Sequence, residues 1–363
     1  MSTITWIALA GSLLWYAYTL FRYRFTFRSE RNPDSSEDQP FITVLVPAHN
    51  DTAALQRLIP LLEQQTYPKD RWELIVIDDH STPSIALEHE WIQVLQSETP
   101  GKKAALQAGI QRARGSWILT TDADCSPSPQ WIEGMATHMK PDRDLLAGPV
   151  LIYEEAPSLL TRFQQWENLA LQTLTAGSFQ IHRPLMCNGA NLAYRKARFE
   201  ETQPYADNLH LKSGDDTFLM LSFFQKDPKR LEYVADPNAI VRTDPAPDVR
   251  TLFHQRLRWS TKLKHYSGAG HIHWAGLGLA VGNTAVVFSW LFVTTTPIVP
   301  MGMVIVKGLL DLWLVWQARS FFSTFPGVLS WVTMLLAYPF YLVGMTVASA
   351  LYPAPQNTHK APA

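Results

Sequence analysis

Two aspartates separated by one residue follow a short apolar run and have the chemistry to hold a hard cation. Asp122 and Asp124 come directly after Trp117–Thr121, whose composition predicts a buried strand. Mg²⁺ and Mn²⁺ take oxygen ligands, including one or two carboxylates together with substrate phosphate oxygens. A cation held there would neutralise a departing diphosphate. The alternative is an ordinary polar turn, because Asp is common in turns.

Acidic and amide side chains follow two earlier apolar runs in the same way. Asp78 and Asp79 end the second run, and the stretch from Pro47 to Asp51, which includes Asn50, ends the first. Such groups can hydrogen-bond a nucleobase or a ribose. One cluster alone is typical of a turn or a helix cap. Three clusters at successive strand ends indicate a common nucleotide site.

Two further groups of charged residues could act on a phosphate and on a proton. Lys102 opens a helical stretch, where its charge and the helix N-terminus both favour phosphate, whereas we expect Lys103 at the solvated surface. Asp215 and Asp216 precede another apolar run. One of that pair could take a proton from an acceptor hydroxyl, although an aspartate at a helix start is often only a cap.

A basic and aromatic cluster lies close to the apolar C-terminal part of the chain. It contains Gln255, Arg256, Arg258 and Trp259 on a stretch with helical character. Arginine can grip a diphosphate with its fork of donors, and tryptophan offers a flat face to a sugar ring. The alternative is a basic-aromatic anchor at a bilayer interface.

The elements that must position these residues alternate between strands and helices. Nearly continuous apolar runs predict strands covered on both faces, and helical periodicity predicts helices between them. The predicted strands are Phe41–Val46, Trp72–Ile77, Ile92–Leu95 and Trp117–Thr121, and the helices are Ala53–Gln65 and Lys102–Arg114. The alternation predicts an α/β fold with a mostly parallel sheet and a site at the carboxyl ends of its strands. Neither standard glycine-rich phosphate loop is present, which disfavours P-loop and dinucleotide-binding folds.

Composition and charge narrow the class of protein further. The 363 residues include 31 Lys and Arg against 32 Asp and Glu, so nothing indicates a nucleic-acid partner. The two cysteines are too few for a disulfide framework or a cysteine-based metal cluster.

Four apolar stretches are long enough to span a bilayer. The predicted spans are Ile4–Phe21, Trp274–Val293, Thr296–Trp316 and Val328–Leu351. Arginines follow the first span rather than precede it, which predicts an uncleaved anchor with residue 22 onward in the cytoplasm. The third span contains Lys307 and Asp311 on one helix face, either as an ion pair that locks helix packing or as a polar lining for an acceptor.

The order of these motifs resembles that of the membrane-bound family 2 glycosyltransferases, the group of cellulose, chitin and hyaluronan synthases and ceramide glucosyltransferase. The resemblance covers roughly residues 41 to 259. It rests on seven stretches in sequence order, namely PAHND, IDDHS, GKKAAL, DADCSPSP, GANLAYRKARF, SGDD and QRLRW. It implies a Rossmann-like GT-A catalytic domain, a UDP-sugar type of donor and inversion at the anomeric carbon.

The resemblance also implies roles for individual residues of this chain. Asp216 would be the catalytic base with Asp215 beside it, where the family usually has Glu. The donor would be held by Pro47, Asn50, Asp78, Asp79, Lys102 and Asp122, and a divalent Mg²⁺ or Mn²⁺ by Asp122 and Asp124. The diphosphate and the acceptor would meet Asn191, Gln255, Arg256, Arg258 and Trp259.

We therefore expect a multi-pass membrane enzyme of the cell envelope, in the inner membrane, that moves a hexose-type sugar onto a lipid or lipid-linked acceptor. The short apolar C-terminal part disfavours a processive polysaccharide synthase, which is the alternative within the class. A sugar-nucleotide-forming nucleotidyltransferase and a non-catalytic membrane scaffold are the alternatives outside it. The expected organisation is an anchor (1–22), a linker (23–40), a catalytic domain (41–268), about three further membrane helices (269–352) and a tail (353–363).

Overall fold

The structure is a computed structural model that describes residues 3–27, 39–87, 89–211, 213–266 and 268–352. Residues 28–38 of the expected linker and the whole expected C-terminal tail lie outside these residues. The described residues form two compact units. We call the described part of 28–153 and 186–244 the sheet unit, and the described part of 1–27, 154–185 and 245–363 the helical unit. Residues of the expected catalytic domain, 41–268, therefore belong to both units.

The sheet unit contains all ten strands of the described residues. They are β1 (Ile42–Ala48), β2 (Trp72–Asp78), β3 (Ile92–Gln96), β4 (Trp117–Thr120), β5 (Cys125–Pro127), β6 (Leu145–Ala147), β7 (Val150–Ile152), β8 (Leu192–Arg195), β9 (Leu231–Tyr233) and β10 (Val241–Thr243). Its helices are α2 (Thr52–Glu63), α3 (Lys102–Arg112), α4 (Trp131–Ala136), α6 (Lys196–Thr202) and α7 (Asp215–Lys226).

Seven strands form the main sheet in the order β3-β2-β1-β4-β8-β6-β9. Strands β1 to β4 are parallel to one another, and β8 runs antiparallel to both β4 and β6. Val44, Val46, Leu74 and Leu119 are fully buried, as expected for strands covered on both faces. A second sheet has the order β5-β10-β7. The α/β class and the mostly parallel sheet expected from the sequence are confirmed.

The helical unit contains six helices. They are α1 (Thr3–Arg22), α5 (Leu159–Gln180), α8 (Val249–Ser260), α9 (Gly270–Ser289), α10 (Ile298–Ala318) and α11 (Val328–Leu351). Four stretches are long and apolar enough to cross a membrane, namely Thr3–Arg22, Gly270–Phe292, Ile298–Ala318 and Val328–Leu351. They agree with the expected spans to within four residues at every end. Large side chains such as Ile4 and Leu329 are more than three-quarters exposed on them, which suits contact with lipid rather than water.

Helix α5 is an amphipathic stretch with two sequence-based interpretations, a membrane-surface helix or a helix packed on the sheet. In the structure it packs against α10 and α11 inside the helical unit. Trp166 and Leu169 are buried, and the Trp166 indole donates to Ser330 Oγ at 2.9 Å. The helix is therefore a part of the helical core.

Candidate active site

The carboxyl ends of three parallel strands lie at one edge of the main sheet. Ala48 at the end of β1 pairs with Asp78 at the end of β2, and Thr120 at the end of β4 pairs with Leu45 of β1. The residues that follow these strands, including Asn50, Asp79 and Asp122, accordingly emerge at this edge. The sequence predicted this placement from strand order alone.

Asp78 organises the loop that follows β2. Its carboxylate is fully buried and accepts hydrogen bonds from Ser81 N at 2.9 Å, Ile85 N at 2.9 Å and Gln96 Nε2 at 2.7 Å. Burial by itself would raise the pKa of Asp78, but these hydrogen bonds outweigh it and the pKa is lowered. The carboxylate thus makes its hydrogen bonds within the protein. We therefore leave Asp78 out of the proposed donor contacts.

Asp79 and Asn50 connect the ends of β1, β2 and α3. Asp79 is partly exposed, and its Oδ1 accepts from Gly101 N at 2.8 Å. Asn50 is exposed, has a φ of 56° and accepts from Thr82 N at 2.8 Å. Pro47 is a partly buried residue of β1. Polar groups from three loops are thereby held together at the sheet edge, where a planar base or a ribose could contact them.

Lys102 joins two acidic groups that are far apart in sequence. Its Nζ lies 2.6 Å from Asp122 Oδ1 and 3.6 Å from Asp215 Oδ2. Burial by itself would lower the pKa of Lys102, but the charges of Asp122 and Asp215 outweigh it and the pKa is raised. The ammonium therefore stays charged and draws the end of β4 and the start of α7 to one point.

The acidic pair Asp215 and Asp216 lies in the first turn of α7. Gly214 precedes the helix with a φ of 79°, a left-handed conformation that glycine adopts without steric cost. Asp215 is buried beside Lys102, whereas Asp216 is partly exposed. The Asp216 carboxylate accepts from Thr217 N at 2.6 Å. Of the two, Asp216 is the one that an acceptor hydroxyl can approach.

Gly189 lies directly beside this charged cluster. A Cβ atom at residue 189 would come 3.2 Å from Asp215 Oδ2 and 3.4 Å from Lys102 Nζ. Its carbonyl accepts from Thr120 Oγ1 at 2.8 Å, which fixes the turn to the end of β4. Because Gly189 has no side chain, there is room beside the cluster. The sequence did not predict this role, since Gly189 stood out only as part of the GANLAYRKARF motif.

Asp122 and Asp124 suit a divalent cation that also binds a substrate. Both are partly exposed, and both charges add to the effect of burial in raising the pKa of the nearby Cys125 thiol. In the described part of the chain no group of three or more His, Cys, Asp or Glu side chains is arranged to hold a metal ion. Two carboxylates nevertheless fit the kind of Mg²⁺ or Mn²⁺ site that is completed by phosphate oxygens and water.

Asn191 does not face the site. Its side chain is fully buried, and its Oδ1 accepts from Trp131 Nε1 at 2.9 Å. Its Nδ2 donates to Pro149 O at 2.9 Å and to Ala239 O at 2.8 Å. Because the whole amide is engaged in the interior, we leave Asn191 out of the proposed acceptor site.

Lys103 is buried, and the expectation of a solvated side chain was wrong. Its Nζ donates to Asn208 O at 2.7 Å and to Asn208 Oδ1 at 2.6 Å, and it lies 4.5 Å from the ring centroid of Phe218. Burial lowers the pKa of Lys103 to about 8, partly opposed by the charges of Asp215 and Asp216. The sequence held a signal for this burial, since Lys103 shares the helical face of Leu106 and Ile110, which are both buried.

The remaining expected site residues lie on α8 of the helical unit and are described within that unit. Arg256 is buried, and its Nη2 lies 2.6 Å from Glu167 Oε2. The Arg256 guanidinium also donates to Gln255 Oε1 at 2.7 Å and stacks 4.2 Å from the ring centroid of Trp259. Arg258 and Trp259 are exposed. Arg256 and Gln255 are thus hydrogen-bonded to each other, whereas Arg258 and Trp259 are exposed to a ligand.

Part of the chain matches a known protein family. Residues 43–202 match Glycosyl transferase family 2. The chain is similar to glycosyltransferase AglE of Haloferax volcanii, with 29% identity over 49% of this chain and 59% of the relative. It is also similar to dolichyl-phosphate beta-glucosyltransferase ALG5C of Trichomonas vaginalis, with 34% identity over 26% of this chain and 35% of the relative. The chain spans about six-tenths of the length of the first curated relatives that it matches.

A solved structure extends the likeness over nearly the whole chain. The mannosyltransferase PcManGT from Pyrobaculum calidifontis, in complex with GDP-Man and Mn²⁺, superposes with a TM-score of 0.58 and 15% identity. The likeness covers 96% of this chain and 97% of that one. The chain therefore has the GT-A fold together with four apolar helices, and residues 43–202 are similar to the family 2 glycosyltransferases.

Proposed function

We propose that this protein is an inverting glycosyltransferase that moves a hexose-type sugar from a UDP-sugar to a lipid or lipid-linked acceptor at the cytoplasmic face of the cell membrane. The observation that carries the proposal is the cluster of Lys102, Asp122 and Asp215, with Asp216 beside it at the start of α7. These residues would supply a cation binder, a phosphate binder and a base at one edge of the sheet.

The donor would bind at the carboxyl ends of β1, β2 and β4. Asp79 and Asn50 are exposed enough to hydrogen-bond a base or a ribose, and Pro47 lies behind them on β1. Asp122 and Asp124 would hold Mg²⁺ or Mn²⁺, which when bound supplies positive charge to the diphosphate. Lys102 adds a second positive charge at the same place.

The transfer itself would be a single displacement assisted by Asp216. The Asp216 carboxylate takes the proton of the acceptor hydroxyl while the acceptor oxygen attacks the anomeric carbon. The bond between that carbon and the diphosphate breaks on the opposite side, which inverts the configuration. Asp215, held by Lys102, keeps the first turn of α7 in place. Positioning and charge neutralisation supply most of the rate enhancement.

A lipid acceptor is supported by the composition of the helical unit and by a relative. Four helices are apolar and long enough to cross a bilayer, and the name of the Trichomonas vaginalis relative specifies dolichyl phosphate. Arg22 is the last residue of the first of these helices and Arg24 follows it, and the positive-inside rule assigns that end to the cytoplasm. A membrane-embedded acceptor would reach a catalytic domain on that side.

The test uses the whole chain in lipid nanodiscs that contain a lipid extract. A panel of UDP- and GDP-sugars is added with Mg²⁺ or Mn²⁺, nucleoside diphosphate release is followed, and the lipids are analysed by mass spectrometry. We expect UDP release with one donor and a lipid that has gained a single hexose. Release of pyrophosphate would indicate a nucleotidyltransferase, and a ladder of masses would indicate a processive synthase. Absence of turnover with every donor would contradict the proposal.

A further inference from the structure

Lys102 contacts one of the two carboxylates that would hold a cation. Its Nζ lies 2.6 Å from Asp122 Oδ1, and Asp215 Oδ2 is 3.6 Å away. A divalent ion that is coordinated by Asp122 sits about 2.1 Å from a carboxylate oxygen. An ammonium that contacts the same oxygen would repel that ion strongly at so short a distance. Lys102 in its observed position therefore competes electrostatically with a metal ion on Asp122.

The Lys102 side chain has space to change its conformation, whereas the side chain of Lys103 does not. About a third of it is exposed, it is the first residue of α3, and its four-carbon stem is flexible. Gly189 has no side chain on the adjacent wall, where a Cβ atom would come 3.4 Å from Lys102 Nζ. Lys103, in contrast, is fixed by two hydrogen bonds to Asn208 and is almost completely buried. The two successive lysines therefore differ in their surroundings, since Lys102 has solvent and open space beside it and Lys103 does not.

The acidic residues need a counter-charge when no ligand is bound. Asp122, Asp215 and Asp216 all act on the charge of Lys102, and Asp215 is buried beside it. Without an opposite charge these carboxylates would repel one another and carry a desolvation cost. Lys102 supplies that charge through its ion pairs with Asp122 and Asp215.

We propose that Lys102 is an internal counter-cation that occupies the carboxylates of the metal site before loading and moves to the diphosphate when the metal and the donor enter. This inference rests on the proposed function, since it assumes a divalent ion on Asp122. It gives a reason why the metal should bind together with the donor rather than before it. Metal alone competes with Lys102, whereas metal bound to a nucleoside diphosphate gives the ammonium a new partner.

The test measures Mn²⁺ binding to the full chain in detergent without any nucleotide, from the electron paramagnetic resonance signal of free Mn²⁺. We expect Lys102→Met to bind Mn²⁺ at least about fivefold more tightly than the wild type, because it lacks the competing charge. Lys102→Arg, which keeps the charge, should bind like the wild type. Lys226→Met is the matched control, since Lys226 also pairs with a carboxylate, at 3.2 Å from Glu201 Oε1. Asp122→Asn should lose the binding that Lys102→Met gains.

The outcomes separate this inference from the proposed function. Thermal unfolding establishes that each variant is folded. Folded Lys102→Met that binds Mn²⁺ no more tightly than the wild type overturns the counter-cation role, even if the wild type transfers sugar normally. Equal tightening in Lys102→Met and Lys226→Met also overturns it, because the effect would then be one of net charge. Absence of sugar transfer by the wild type contradicts the proposed function, whatever the Mn²⁺ result.

Discussion

Arg256 and Glu167 form a buried ion pair inside the helical unit. Arg256 Nη2 lies 2.6 Å from Glu167 Oε2, Arg256 Nε donates to the same oxygen at 2.7 Å, and Tyr341 donates to Glu167 Oε1 at 3.2 Å. The pair ties α8 to α5, and the tyrosine adds α11. Sequence patterning indicated that Arg256 could grip a diphosphate, but its donors are engaged with Glu167 and Gln255 in the structure.

Arg256→Ala should therefore lower stability rather than substrate affinity alone. Removal of one partner leaves the Glu167 charge buried without compensation, which costs about 3–5 kcal/mol. Arg258→Ala is the matched control, because Arg258 is an exposed arginine on the same helix, and it should change the melting temperature little. Thermal unfolding in detergent measures both. Equal melting temperatures for Arg256→Ala and the wild type would contradict a structural role for this pair.

Asp216→Asn should keep donor binding and lose turnover. The amide has nearly the shape of the carboxylate but cannot accept the acceptor proton, so kcat should fall by about 10²- to 10⁴-fold with little change in the donor KM. Asp215→Asn is the comparison, because Asp215 faces Lys102 and should affect stability and donor KM together. Steady-state kinetics with the active donor separates the two. Turnover by Asp216→Asn within a few-fold of the wild type would remove Asp216 as the base.

Asp78 and Asp79 should respond differently to replacement by alanine. Asp78→Ala leaves the buried N–H groups of Ser81 and Ile85 without an acceptor, which costs about 2–4 kcal/mol. Asp79→Ala removes one bond to Gly101 N near the surface and should cost less than about 1 kcal/mol. The donor KM should rise mainly for Asp79→Ala. Melting temperature and donor KM, measured on both variants, decide the assignment. The opposite pattern would make Asp78 the donor contact.

Strand and helix positions in the sheet unit followed from the sequence because burial leaves a strong pattern. The four predicted strands and two predicted helices between residues 41 and 121 agree with the structure to within two residues at each end. Strands such as β5, β6 and β10 were missed, since each has three residues and too few for a periodic signal. Their existence depends on pairing between distant segments, for example β10 with β5.

The sequence indicated which residues lie at the sheet edge, but it did not indicate the contacts that they make. Strand order was enough to bring Asp78, Asp79 and Asp122 to one edge of the sheet. The contacts of Lys102 with Asp215, and of Arg256 with Glu167, join residues that are about 90 or more positions apart, and no local pattern specifies them. Asn191 was misjudged for the same reason, because its three hydrogen-bond partners come from other segments.

The pKa of Lys103 gives a stability effect that depends on pH. Burial lowers this pKa to about 8, whereas an unfolded lysine keeps its proton up to about pH 10. Between these values the unfolded chain binds more protons than the folded chain, so the contribution of Lys103 to stability rises with pH. At about pH 9.5 the wild type should have gained about 2 kcal/mol relative to Lys103→Met, compared with pH 7.

Thermal unfolding of the wild type, Lys103→Met and Lys196→Met at the two pH values tests this expectation. Lys196 is a suitable control because its Nζ also donates to a backbone carbonyl, that of Ala113, at 2.7 Å. The difference between the wild type and Lys103→Met should grow with pH, and that for Lys196→Met should stay constant. A difference for Lys103→Met that stays constant with pH would show that Lys103 keeps its proton in the folded chain over the whole range.

The contacts of Lys307 and Asp311 bear on the two interpretations of this pair, an ion pair that locks helix packing or a polar lining for an acceptor. Lys307 is fully buried on α10, its Nζ lies 2.6 Å from Asp311 Oδ2 and 4.8 Å from the ring centroid of Tyr338 on α11. Tyr16 of α1 donates to Asp311 Oδ1. The pair thus holds three helices at one point, which favours the interpretation as an ion pair that locks helix packing.

A double-mutant cycle tests that interpretation. Lys307→Met alone leaves Asp311 uncompensated next to apolar surroundings and should cost about 3 kcal/mol, and Asp311→Leu should cost a similar amount by isolating the buried ammonium. The double variant Lys307→Met with Asp311→Leu removes both charges and should recover most of that loss, since an apolar pair of similar volume needs no compensation. Because the proposed role is packing, the double variant should also transfer sugar at close to the wild-type rate. A double variant with wild-type melting but little turnover would instead show that the two charges line the path of the acceptor.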